Sequence, residues 1–102
     1  MTTAAQTRDT TPTVLEKDLT IVNQRGLHAR ASAKLVKLVE TFDANVEVSK
    51  DGQTVGGTSI MGLMMLAASP GCSIRVAVSG AEADEAMAAI TELVEDGFGE
   101  ED

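Results

Sequence analysis

Asn23-Gln-Arg-Gly-Leu-His28-Ala-Arg30-Ala-Ser-Ala-Lys34-Leu-Val-Lys37 is the stretch on which the fold of this chain turns. It begins as a loop, where Gly26 permits a sharp turn, and ends as a strongly patterned helix. From Ala29 to Thr41 the residues Ser32, Leu35, Val36, Val39 and Phe42 gather on one face at helical spacing. Arg30, Lys34 and Lys37 form a continuous row on the opposite face. A helix with one apolar stripe has to lie on an apolar surface, and the flanking segments read as the strands that supply it.

Upstream, Leu15 to Val22 reads as a strand with Leu15, Leu19 and Ile21 on one side and Glu16, Asp18 and Thr20 on the other. Downstream, Val46 and Val48 alternate with polar residues up to Asp51-Gly52, a strong hairpin signal, and a short partner strand runs from Gln53 to Gly56. A short helix follows, with Thr58 as its expected N-cap and Ser59 in its first turn; Gly62 weakens it, and Pro70-Gly71 stops the region. Ile74, Val76 and Val78 alternate through a last strand, Ser73 to Ser79. The final helix, Ala81 to Asp96, buries Ala83, Met87, Ile90 and Val94, exposes Glu85, Glu92 and Glu95, and stops at Gly97. Glu82, Asp84 and Glu85 suit its positive N-terminal end.

The order β-α-β-β-α-β-α, with strands apolar on one face and amphipathic helices to cover it, predicts an α/β open-faced β-sandwich: a four-stranded antiparallel sheet under three helices. One domain is expected over residues 15–97. Residues 1–14 read as a disordered polar tail and 98–102 as an acidic C-terminal tail.

Composition narrows the function. The chain has 102 residues, enough for one modest core, and only two Phe with no Trp or Tyr, so that core is aliphatic. Lacking aromatic platforms and carrying a net charge of −8, it is a poor candidate for binding nucleic acid or an anionic membrane surface. No apolar run approaches membrane-spanning length, so no membrane insertion is expected. The single cysteine, Cys72, rules out an internal disulfide and offers no metal-ligand spacing with His28. No apolar h-region marks a secretory signal, so the cytoplasm is the expected compartment.

The charge is unevenly placed. From Leu19 to Val39 there is no acid, whereas Arg25, Arg30, Lys34 and Lys37 all fall there; from Glu82 to Asp102 there are nine acids and no base. The lone histidine thus occupies the one strongly positive segment of an acidic chain. A basic run is usually a solvated helix face, and a lone histidine is more often a cap than a nucleophile. Three features favour chemistry at His28. A helix N-terminus presents unpaired N–H groups and a positive dipole end. Arg30 offers a planar fork for phosphate oxygens. No carboxylate lies within nine residues on either side. A neutral imidazole in such a place can capture a phosphoryl group.

Gly26-Leu27-His28-Ala29-Arg30 and the helix after it resemble the active-site signature of the histidine-containing phosphocarrier (HPr/NPr) family of the phosphoenolpyruvate-dependent phosphotransferase system. Thr58-Ser59-Ile60-Met61-Gly62-Leu63-Met64 resembles that family's regulatory-serine segment. The likeness spans Glu16 to Asp96 and leaves both tails outside. It implies that His28 accepts a phosphoryl group on Nδ1 from enzyme I and passes it to EIIA proteins, with Arg30 on the phosphate oxygens. It also implies that Ser59 is a target of HPr kinase/phosphorylase. One position departs from the family pattern: the arginine is followed by Ala31, where the family usually has proline. Alanine keeps the helix but enters it less rigidly, and the choice between the sugar and nitrogen branches stays open.

Ile60, Met61, Met64 and Met65 form a soft apolar cluster on a helix too short to bury every side. With Arg25, Arg30 and Lys34 it would suit transient docking of several partners. The expected molecule is therefore a monomeric carrier needing no metal or bound cofactor. Two alternatives remain. One is a regulatory docking module that never receives phosphate at His28. The other is a small acylphosphatase-type hydrolase, disfavoured because a histidine beside an arginine suggests capture rather than water activation.

Overall fold

The computed structural model describes residues 14–100. Its elements run β1 (Leu15–Thr20), α1 (Ala29–Val39), β2 (Asn45–Lys50), β3 (Gln53–Gly56), α2 (Ile60–Met65), β4 (Ser73–Ser79) and α3 (Ala83–Glu95), closed by a 3-10 turn, Gly97–Gly99. The four strands form one antiparallel sheet in the order β1-β4-β2-β3. The expected architecture is the one observed.

Strand alternation decides which way the sheet faces. Val46, Val48, Ile74, Val76 and Val78 all point inward and are buried, as a period of two requires. Outward-facing Arg75 pairs with Asp18 on the neighbouring strand, Nε to Oδ1 at 3.0 Å, and Ser49 bonds Thr54 at 2.9 Å. This face is the open one. The β2–β3 hairpin turns at Asp51-Gly52, where φ is positive at both residues (52° and 84°), as a type I′ turn demands.

The helices cover the other face. In α1 the residues Ala31, Ser32, Leu35, Val36 and Val39 are buried, and the hydroxyl of buried Ser32 is satisfied by donating to Leu27 O at 3.2 Å. The helix ends at Val39 rather than Thr41. Beyond Val39 the backbone tightens into i→i−3 bonds (Thr41 N to Leu38 O, Phe42 N to Val39 O), and the Thr41 hydroxyl also donates to Leu38 O at 2.7 Å. β1 likewise stops at Thr20, two residues short of the expected Val22, and α3 begins at Ala83, after Glu82 N has bonded Asp43 O.

Two expectations fail, one through a local cap bond and one through a contact far along the chain. Ser59, not Thr58, is the N-cap of α2: its Oγ accepts from Gly62 N at 3.0 Å and the helix starts at Ile60. Phe98, expected in the acidic C-terminal tail, is fully buried in the core. Gly97, Phe98 and Gly99 all have positive φ (65°, 58° and 71°). Three left-handed residues in succession reverse the chain after α3 and return it towards α1. For Phe98 that conformation costs about 1 kcal/mol or more, less than the burial of a large aromatic side chain returns.

Candidate functional site

His28 is the N-cap of α1. Its backbone is extended (φ −78°, ψ −177°) and its carbonyl accepts the first helical bond from Ser32 N at 2.9 Å. Its ring Nδ1 accepts from Arg30 N at 3.3 Å, the cap position usually filled by a Ser or Asp oxygen. The loop before it is held closed by Gly26, which has φ +64°; a Cβ there would stand 2.1 Å from Ala68 O. Only glycine lets the loop approach this backbone, and Leu27 N then bonds Ala68 O at 3.0 Å. The segment following α2 thus sets the position of the histidine.

The other ring nitrogen has a partner the local sequence does not contain. His28 Nε2 lies 2.5 Å from Glu100 Oε2, and Glu100 Oε1 accepts from Asn23 Nδ2 at 3.0 Å. Asn23 is 3% exposed and its Nδ2 also donates to Gly26 O at 3.0 Å. Lys34 Nζ donates to Phe98 O at 2.6 Å, tying the returning chain to α1. Hydrogen bonds from Asn23 first and His28 second hold the Glu100 carboxyl below the ordinary glutamate range, with a smaller contribution from the Lys34 charge.

The two nitrogens can therefore be told apart. A carboxylate only accepts, so Nε2 carries the proton; Nδ1 accepts from a backbone N–H, so Nδ1 holds the lone pair. The Nδ1 edge of the ring thus lies beside the amides at the start of α1. Arg25 and Arg30 have exposed side chains and form no ion pair among the described residues, leaving both guanidinium groups available to an anion. Lys34 is only half-buried but already engaged.

Ser59 is exposed at the start of α2. Ile60, Met61, Met64 and Met65 are 40%, 74%, 43% and 67% exposed, an apolar surface on a helix packed against α1. Cys72 is a half-buried free thiol. Among the described residues no group of three or more His, Cys, Asp or Glu side chains could hold a metal ion, and no helix is long and apolar enough to cross a membrane. Sequence reasoning missed Asn23, Phe98 and Glu100. The absence of local carboxylates around His28 is true along the chain but not in space.

The family model described as "PTS HPr component phosphorylation site" matches residues 15–96. The chain belongs to the HPr family. It is 48% identical over 88 residues to the phosphocarrier protein HPr of Xylella fastidiosa, covering 86% of this chain and 99% of that protein. To the phosphocarrier protein NPr of Shewanella violacea it is 40% identical over 88 residues, covering 86% and 97%. Among solved structures, HPr-C-His from Thermoanaerobacter tengcongensis superposes with a TM-score of 0.81 at 38% identity, covering 85% of this chain and 98% of that one. HPr proteins are carriers of the phosphotransferase system rather than catalysts, and that is the role of this chain.

Proposed function

We propose that His28 is the phosphoryl acceptor: it receives the group on Nδ1 from phosphorylated enzyme I and delivers it to an EIIA protein. The observation that carries this reading is the pair of ring contacts: Nδ1 accepts from Arg30 N at the start of α1, and Nε2 lies against Glu100 Oε2. The Nδ1 lone pair forms the N–P bond as the bond to the donor breaks and its electron pair returns to the donor. Arg30 and the first-turn amides receive the equatorial oxygens. Such a transfer needs positioning and charge stabilisation, and little else from the protein.

Arg25 and the exposed Ile60, Met61 and Met64 form the docking surface for both partners, with Lys34 contributing its charge at the margin of it. A shared soft surface lets one carrier meet a donor and an acceptor in turn. Ser59 is a regulatory phosphorylation site for HPr kinase/phosphorylase; a phosphate there places about −2 charge against that same surface.

The deciding experiment is intact mass after incubation with phosphoenolpyruvate, Mg²⁺ and enzyme I of each branch. A single acid-labile phosphoryl adduct is expected on the wild type and none on His28→Ala. No adduct with either enzyme I would reduce the chain to a docking module on the HPr fold.

A further inference from the structure

We infer that Glu100, held by Asn23, is a positioning residue for phosphoryl capture: it fixes His28 as the Nε2–H tautomer and stays paired with the ring once Nδ1 is phosphorylated. This rests on the phosphoacceptor reading of His28. Glu100 reaches the ring only because the chain reverses through three left-handed residues, is anchored by fully buried Phe98 and is tied by Lys34. Asn23 occupies one carboxylate oxygen and the His28 ring the other. The Glu100 side chain is 10% exposed and that of His28 24%. Both carboxylate oxygens are thus committed to the histidine and to the loop that carries it.

The chemistry follows from the charges. When Nδ1 forms its bond to phosphorus, the donor's bond breaks and its electron pair leaves with the donor. The Nε2 proton stays in place, so the ring becomes a positively charged phosphoimidazolium. Glu100 lies against Nε2, at the opposite edge from the incoming phosphoryl group, where it opposes the new positive charge without obstructing Nδ1. On delivery the N–P bond breaks, its electron pair returns to Nδ1 and the ring is neutral again. The Nε2–H···Oε2 contact serves both states. It is the arrangement in which a carboxylate orients a histidine from its far nitrogen.

The test uses the full chain, with Glu100→Gln and Glu100→Ala beside the wild type. Ring ¹⁵N and Nε2–H proton spectra, recorded at a pH where the ring is neutral, report the tautomer; the rate of adduct formation with phosphorylated enzyme I reports capture. Glutamine keeps an acceptor oxygen but no charge. We expect the Nε2–H signal to persist in Glu100→Gln and to broaden by solvent exchange in Glu100→Ala. Capture should fall about tenfold in Glu100→Gln and further in Glu100→Ala, the scale of losing a charge-assisted hydrogen bond. Backbone amide spectra check that each variant is folded, and Glu100→Gln suffices if Glu100→Ala is not. Wild-type capture rates in the folded variants, or an unbroadened Nε2–H signal in folded Glu100→Ala, would overturn the inference while leaving His28 as acceptor. Failure of the wild type itself to take up phosphate would overturn both.

Discussion

Two helices in this molecule begin with a side chain able to carry a phosphoryl group, and they begin very differently. His28 caps the eleven-residue α1, and both its ring nitrogens are engaged, one by Arg30 N and one by Glu100. Ser59 caps the six-residue α2, is exposed, and its side chain makes one hydrogen bond among the described residues, accepting from Gly62 N. Each satisfies a helix amide. Only His28 is also held by a remote part of the chain. A capped helix start becomes a site poised for chemistry when something fixes the face of the capping group turned away from the helix. At Ser59 that face is left to solvent, which suits a residue read by another protein rather than one that reacts unaided.

The sharpest way to break this contrast is to remove each cap. His28→Ala should abolish phosphoryl uptake altogether, with no adduct detectable by intact mass, and should also lower stability, because both the cap bond and the Glu100 contact are lost. Ser59→Ala should leave uptake at His28 unchanged and cost about 0.5–1 kcal/mol through the lost N-cap bond. Uptake is read by mass and stability by urea unfolding. Unchanged uptake in His28→Ala, or lost uptake in Ser59→Ala, would reverse the roles assigned to the two helix starts.

Between these in breadth lies Phe98→Ala. A fully buried Phe in an aliphatic core is worth about 3–5 kcal/mol when truncated, a large share of a small domain's total stability. The variant should also free the returning chain, so the Glu100–His28 contact should vanish from ring spectra even under conditions where the sheet is intact. Persistence of that contact would mean that Lys34 and Asn23 alone suffice to hold the strap.

What could be read in the sequence and what could not divide along the same line. Strand alternation in Val46–Val48 and Ile74–Val78, the Asp51-Gly52 turn and the α1 stripe are local patterns, and each produced its element. His28 and Arg30 stand in a short motif at a helix start, so they too were legible. Phe98 and Glu100 were not. The charge of Gly-Phe-Gly-Glu-Glu-Asp points to an acidic tail and hides the chain reversal onto α1. The signal was present in two glycines flanking the only aromatic residue near the C-terminus, a pattern that makes sense once φ is known to be positive at all three positions. The N-cap of α2 differs by one residue because Thr58 and Ser59 are chemically equivalent caps, and the sequence alone does not say which hydroxyl receives Gly62 N.

The subtlest effect should appear with acid. Glu100 has its carboxyl held below the ordinary range by Asn23 and His28. A carboxylate whose folded pKa is depressed contributes stability that is fully present above its unfolded pKa, about 4.3, and is lost as the pH falls through the lower folded value. The stability difference between wild type and Glu100→Gln should therefore be greatest from pH 5 upwards and shrink steadily below about pH 4. Asp18 on the open face is held down in the same way by Arg75, chiefly through their hydrogen bond, and titrates in the same window. Wild type alone would mix the two. Urea midpoints of wild type, Glu100→Gln and Asp18→Asn at matched pH separate them: the Glu100 difference should come with loss of the ring contact at His28, the Asp18 difference with none. A Glu100→Gln difference that stayed constant between pH 7 and pH 3 would mean that its carboxylate gives the strap no charge-dependent hold on His28.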